Sequence, residues 1–218
     1  PPEKLDVLIV VDTSCSMNDN FQQVSIGVEL LRDDIEKLTL DYKIGFINSG
    51  LMWPYFAGPY DYTANPIDFL LAPYLLGADW FEQGFQSMYE FVMMTPEGAA
   101  FFRDDADKLI IFVSDENEQG ALPTNVFHDW LAEKFELVQH DVVAIVQLEN
   151  GECPLNWEYD VGQKYIDLVA YYGKVGIDIC SDWEEWLGDS TFLVGEVDYI
   201  NLSKTPIEDS IVVYRNGL

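Results

Sequence analysis

The chain has 218 residues, 49% hydrophobic and 14% aromatic, enough for one sizeable core and a small appendage. Its 11 Lys and Arg against 39 Asp and Glu leave a net charge of −28, so no basic surface exists to displace counterions from nucleic acid or to meet an anionic membrane. No apolar run approaches the roughly 20 residues that cross a bilayer, so membrane insertion is not expected; so acidic a surface favours divalent cations, saline surroundings or simple solubility.

The chain opens at Pro1-Pro2 with no initiator Met and no signal peptide, and is expected to be a processed piece of a longer polypeptide. Val7 to Val11 form an unbroken apolar run rich in β-branched residues. A strand apolar on both faces belongs in the middle of a parallel sheet, with helices on each side. The run stops at Asp12 and gives Asp12-x-Ser14-x-Ser16. One carboxylate and two hydroxyls then stand on a turn at the carboxyl end of a central strand, where open α/β sheets bind ligands. Hard oxygens without a histidine suit magnesium, calcium or manganese rather than zinc.

Val24, Val28, Leu31, Ile35 and Leu38 make one apolar stripe, predicting a helix over 21–38 capped by Asp19 or Asn20. The turn before it lacks the Gly-x-Gly-x-x-Gly of dinucleotide folds. Tyr42 to Ile47 is a second strand, and Leu51 to Phe56 is expected to return as an edge strand, the place where Pro54 is tolerated. Residues 51–62 carry Trp53, Tyr55, Phe56 and Tyr60 between Pro and Gly. They read either as aromatics lying over a core edge or as a partner-binding rim.

A short helix or turn over 66–76 leads to Gly77-Ala78-Asp79. The helix predicted over 80–94 turns Phe81, Phe85, Met88 and Val92 inward, and 95–107 reads as a polar loop. Lys108 to Ser114 is another buried strand, ending at Asp115-Glu116-Asn117-Glu118. A helix over 124–138, a strand over 142–148, a helix over 159–172 stopped by Gly173 and a strand over 175–180 follow, then a short helix from Asp182. Strands alternating with amphipathic helices specify a doubly wound α/β domain with a mainly parallel six-stranded sheet and one antiparallel edge strand. It is expected to span 1–188. Residues 189–218 read as a β extension, the truncated start of a following segment.

Asp12-Thr13-Ser14-Cys15-Ser16 after one buried strand, with Asp115 after a later one, resembles the metal-ion-dependent adhesion site (MIDAS) of von Willebrand factor A (vWA) and integrin I domains. The resemblance implies a Rossmann-like vWA fold and an ion, Mg2+ or Ca2+, held by Asp12, Ser14, Ser16 and Asp115. The family's middle loop usually adds a Thr just before a helix. Thr95 lies on the wrong side of the 80–94 helix, so Asp79 takes that position, either as a ligand or as a helix cap. Three carboxylates would hold the ion tightly and reduce its remaining Lewis acidity. Ser16-Met17-Asn18-Asp19 also resembles integrin β subunits, which makes Asp19 the candidate residue for a second ion. Val113 to Gln119 and Tyr165 to Trp183 resemble a branch of the family found in bacterial secreted and phage structural proteins. That branch implies a disulfide between Cys153 and Cys180, and so an extracellular, cell-surface or virion location.

Catalysis finds little support. His128 and His140 fall in no motif, and no nucleophile elbow or phosphate loop occurs. A metal-dependent phosphoesterase would need a general base that the sequence does not offer. The expected function is therefore a metal-dependent adhesion module of a larger chain or assembly, not an enzyme. Its ion bridges to an acidic or oxygen-donor group of a protein or surface-glycan partner. The alternative is a structural building block of a virion or cell-surface assembly, in which metal and disulfide serve stability alone.

Overall fold

The structure is a computed structural model and describes residues 2–50, 54–152 and 160–184. Strand β1 (Leu5–Val11) is buried along its whole length, as its unbroken apolar run requires. It pairs in parallel with β2 (Tyr42–Asn48) on one side and β4 (Asp107–Ser114) on the other. Beyond them lie β3 (Phe56–Tyr60), antiparallel to β2, and β5 (His140–Val146) and β6 (Ile177–Asp178), both parallel. The sheet order is β3-β2-β1-β4-β5-β6, the mainly parallel six-stranded sheet with one antiparallel edge strand that the sequence pattern implies.

Alternation along the strands divides the core into two layers. Leu5, Val7, Ile9 and Val11 pack with Val24, Val28, Leu31 and Ile35 of α1 (Phe21–Leu38) and Phe69 of α2 (Pro66–Leu71). Leu8 and Val10 face the opposite layer, which is built from α3 (Gly84–Met94), α4 (Pro96–Phe101), α5 (Thr124–Lys134) and α6 (Gln163–Ala170). Val11 pairs with both Asn48 and Val113. The carboxyl ends of β1, β2 and β4 are therefore level, and Asp12, Ser49 and Ser114 emerge side by side.

Several elements depart from the sequence expectation. Of the edge strand expected over Leu51 to Phe56, residues 51–53 lie outside the described residues, Pro54 and Tyr55 precede the ladder with Asn48 Oδ1 accepting the Tyr55 N–H at 2.7 Å, and the strand itself runs over Phe56–Tyr60. Pro59 is the proline that sits in it, at an edge where no further N–H is needed. Helix α3 starts at Gly84, not residue 80. The backbone before it is committed elsewhere, with Gln83 N donating to Ser49 O (2.8 Å) and Gln119 N donating to Glu82 O (2.6 Å). Phe81 accordingly lies outside the helix and is exposed.

Residues 96–101 are helical rather than loop. Thr95 Oγ1 accepts from Gly98 N and Pro96 takes the first turn, the usual opening of a short helix. Asn20 precedes α1 without a side-chain capping bond, since the 3-10 turn Cys15–Asp19 feeds straight into the helix. Helix α6 ends at Ala170, short of the expected 172, and a turn leads to Gly173 at φ +69°. Its N–H and that of Lys174 close onto Ala170 O and Val169 O, which leaves β6 only two paired residues. Trp53, Cys153 and the proposed β extension of 189–218 lie outside the described residues.

At the amino edge of the sheet, Asp6 is fully buried. It accepts from Arg103 N (2.6 Å), Arg103 Nε (2.8 Å) and Lys108 Nζ (3.2 Å). Burial pushes the Lys108 ammonium down, and Asp6 pulls it back. Asp6→Ala leaves that cation buried with its charge unmet, so urea denaturation is expected to show a loss of about 3–5 kcal/mol. A loss below about 1 kcal/mol, the scale of a surface pair, contradicts this role.

Candidate metal centre

Register brings Asp12 and Asp115 to adjacent strand ends. Asp12 is almost wholly buried, and both its oxygens are held. Oδ1 accepts from Ser14 N at 2.8 Å and Oδ2 from Ser114 Oγ at 2.7 Å. Ser14 Oγ lies 2.8 Å from Ser16 Oγ, which donates to Asp115 Oδ1 at 3.2 Å. Four of the five expected ligands thus form one hydrogen-bonded chain from the β1 turn to the β4 turn.

Asp79 lies beside the same β1 turn. Its N–H donates to Thr13 O at 3.3 Å and its Oδ1 accepts from Trp80 N at 2.7 Å. A Cβ on Gly50 would come within 2.1 Å of its Oδ2. Asp79 therefore lies between the β1 turn at Thr13 and the turn that follows β2 at Gly50. Its charge still reaches Asp12 and helps raise it. Glu82, expected from the sequence in the first turn of a helix, is a second carboxylate near the centre, since the charges of Asp12, Glu116 and Asp115 all act on it. Its backbone is pinned between Ser49 and Gln119, which spans β1, and its side chain is only 2% exposed. The readable signal was Gly84, a poor residue for the second turn of a helix over 80–94 and a natural boundary instead.

Burial dominates the electrostatics. It raises Asp12, and with the added charge of Asp12 it lifts Asp115 to about 7 and Glu82 to about 8. Glu116 is raised for the same two reasons. Among the described residues, Thr13 Oγ1, Ser49 Oγ, Glu82 Oε2, Asp115 Oδ2 and both polar atoms of the Gln147 amide are buried without a hydrogen-bond partner, and all stand at this edge of the sheet. Buried polar atoms are rarely left so. Carboxylate, hydroxyl and amide oxygens left without donors fit a hard divalent cation with its waters. Among the described residues no three His, Cys, Asp or Glu side chains converge closely enough to cage an ion unaided. The donor set that fits is therefore mixed: Asp12, Ser14, Ser16 and Asp115 are linked by hydrogen bonds, with Asp79 and Glu82 near enough for charge to act between them and Asp12.

Tyr55 is exposed, whereas Phe56 packs inward, 5.0 Å from Phe91 and 5.7 Å from Phe101, and Tyr60 packs on Phe69 at 5.2 Å. Phe56 and Tyr60 thus lie over the core edge. Around Asp79 the exposed apolar side chains are instead Tyr74, Leu75, Trp80 and Phe81. Cys15, inside the metal turn, is exposed. The backbone of Asp19 closes the 3-10 turn, and its side chain, like Cys153, lies outside the described part.

No protein-family model matches the chain, and no curated protein matches it significantly. Solved structures do. The chain is similar to proximal thread matrix protein 1 (PTMP1) from the mussel byssus, with a TM-score of 0.61 at 15% identity over 88% of this chain and 49% of that one. It is also similar to the structure of that protein with a zinc-occupied MIDAS motif, with a TM-score of 0.60 at 13% identity over 86% of this chain and 45% of that one. The chain spans about half the length of these neighbours. Together with the sheet order, the likeness shows the Rossmann-like vWA fold.

The raised acids fix a sign for pH dependence. Asp115 and Glu82 hold their protons more tightly folded than unfolded. The stability they contribute is complete below about pH 4 and is lost as pH rises through about 7 and about 8. Thermal denaturation in EDTA is expected to give a lower Tm at about pH 8.5 than at about pH 6, with a divalent cation narrowing the gap. A Tm in EDTA that climbs over this interval contradicts the buried acid cluster.

Proposed function

We propose that the chain is a divalent-metal-dependent binding module rather than an enzyme. Asp12, Ser14, Ser16 and Asp115 hold the ion, and Glu82 supplies the middle-loop carboxylate in preference to Asp79. One observation carries this reading. The acids and unpartnered oxygens at the carboxyl edge of the sheet form a buried acidic cluster to which, among the described residues, no Lys or Arg is hydrogen-bonded. A bound divalent ion supplies the missing positive charge and a coordination position for an oxygen donor from outside.

The partner is a protein or surface glycan presenting an acidic or other oxygen-donor group. The exposed Tyr74, Leu75 and Trp80 add contact area beside the ion. Which metal binds is a matter of hard-oxygen selectivity: Mg2+ and Ca2+ suit the donors, and zinc joins them because PTMP1 carries zinc in its MIDAS motif. An extracellular or surface location fits the same reading, as does a Cys153–Cys180 bridge. A structural building block is the second reading, favoured by the likeness to a thread matrix protein.

Isothermal titration with Mg2+, Ca2+ and Zn2+ is expected to show one dominant site, lost in Asp12→Ala and Asp115→Ala. Glu82→Gln is expected to weaken it more than Asp79→Asn. Equal affinity in Asp12→Ala and the parent chain defeats the metal reading, and a larger effect at Asp79 restores the sequence-based assignment. EDTA is expected to abolish surface adhesion if the ion bridges, and to lower only Tm if the role is structural. Peptide mapping without reductant is expected to recover the Cys153 and Cys180 peptides joined; both thiols labelled in the untreated protein removes the bridge.

A further inference from the structure

Glu118 has no place in the ion's donor set, yet it is the best-satisfied buried acid near it. Its carboxylate is 2% exposed. Oε2 accepts from Phe85 N at 2.8 Å and from the Tyr165 hydroxyl at 3.2 Å, and Oε1 accepts from Gly120 N at 2.7 Å. Phe85 lies in the first turn of α3, where unpaired N–H groups and the helix dipole favour an anion. Burial raises the Glu118 carboxyl, and these three donors together with the charge of Lys164 oppose that rise.

The cradle is built with room for nothing else. A Cβ at Gly120 would stand 2.4 Å from Glu118 Oε1, and one at Gly84 would stand 2.7 Å from the Tyr165 oxygen. The adjoining backbone is tied as well. Gln119 N donates to Glu82 O, Asn117 Oδ1 accepts Lys164 N at 3.0 Å, and Lys164 Nζ reaches Gly120 O at 3.1 Å. One side chain therefore joins the loop that begins at Asp115, the helix that begins just after Glu82, and α6.

We propose that Glu118 is the positioning residue of the metal centre: by clamping the start of α3 and Tyr165 of α6 to the 115–120 loop, it sets the separation of Asp115 and Glu82. The inference rests on the metal reading for its function, while the clamp itself concerns only this chain. It also makes α3 and α6 the elements through which filling of the site is felt elsewhere, since both are tied through Glu118 to the loop that begins at Asp115.

The test compares Glu118→Gln and the milder Tyr165→Phe with the parent chain, using Mg2+ and Zn2+ titrations and hydrogen exchange of the metal-free proteins. Supporting residues of this kind set metal affinity by about ten- to a hundredfold, so Glu118→Gln is expected to raise Kd by at least about tenfold and Tyr165→Phe by less. Exchange is expected to speed up together in 115–120 and 82–85, with α1 unchanged. Unchanged Kd beside a lowered Tm overturns the proposal in favour of a purely structural role, as does faster exchange confined to one of the two segments. If the parent chain binds no divalent ion, the metal reading fails. The exchange comparison then decides the clamp alone: joint loosening keeps it, and independent behaviour removes it. Should Glu118→Gln not fold, Tyr165→Phe carries both measurements.

Discussion

A carboxylate taken out of water without a cation is costly, and this fold takes out several at one edge of its sheet. Asp12 and Asp115 lose their solvent together because β1 and β4 end level with one another. Hydroxyls and backbone N–H groups meet part of the need, with Ser14 N, Ser114 Oγ and Ser16 Oγ donating to the two acids. The remainder appears as acids raised by burial and mutual repulsion and as oxygens without partners. Everything proposed for the molecule follows from that deficit.

The two ends of the sheet solve the same problem in opposite ways. Asp6, at the amino edge, is as deeply buried as Asp12, but Arg103 and Lys108 of the same chain are bonded to it. That end is complete in itself. At the carboxyl edge the acids meet hydroxyls, amides and one another. An ion pair built in at one pole and withheld at the other separates a structural use of buried charge from a binding use. Glu118 stands between the two strategies. It is satisfied by the chain itself, through two N–H groups and a phenol, and it lies within three residues of Asp115. Such an arrangement keeps a deficient site from collapsing by anchoring the loops around it.

Much of this was legible along the chain. The apolar runs that begin at Val7, Tyr42, Lys108 and Val142 became strands because short, continuous, β-branched runs suit burial on both faces of a parallel sheet. The stripe at Val24, Val28, Leu31 and Ile35 became α1 for the complementary reason. Where a backbone's partner came from far away, the reading slipped. Residues 80–83 look helical by periodicity, yet Ser49 and Gln119 claim their backbone groups. The helix start therefore moves by four residues, and Glu82 becomes a buried acid under the charge of Asp12. Residues 96–101 look polar and broken, yet Thr95 and Pro96 open a helix that puts Phe101 against Phe91 and Phe56. The aromatic 51–62 stretch was split by the pleat, with Phe56 and Tyr60 going to the core edge and Tyr55 to solvent.

Local sequence thus determined which segments are strands and helices, that Asp12, Ser14 and Ser16 share one turn at a strand end, and that their chemistry suits a hard cation. Those properties depend on residues a few positions apart, and hydrophobic period and donor type record them directly. The tertiary structure alone decided which distant carboxylate faces that turn, how far the acids rise, and which oxygens are left without partners. These depend on strand register and on hydrogen bonds between residues as far apart as Ser16 and Asp115. No local pattern carries that information, because it exists only once the strands are level and water has been excluded between them.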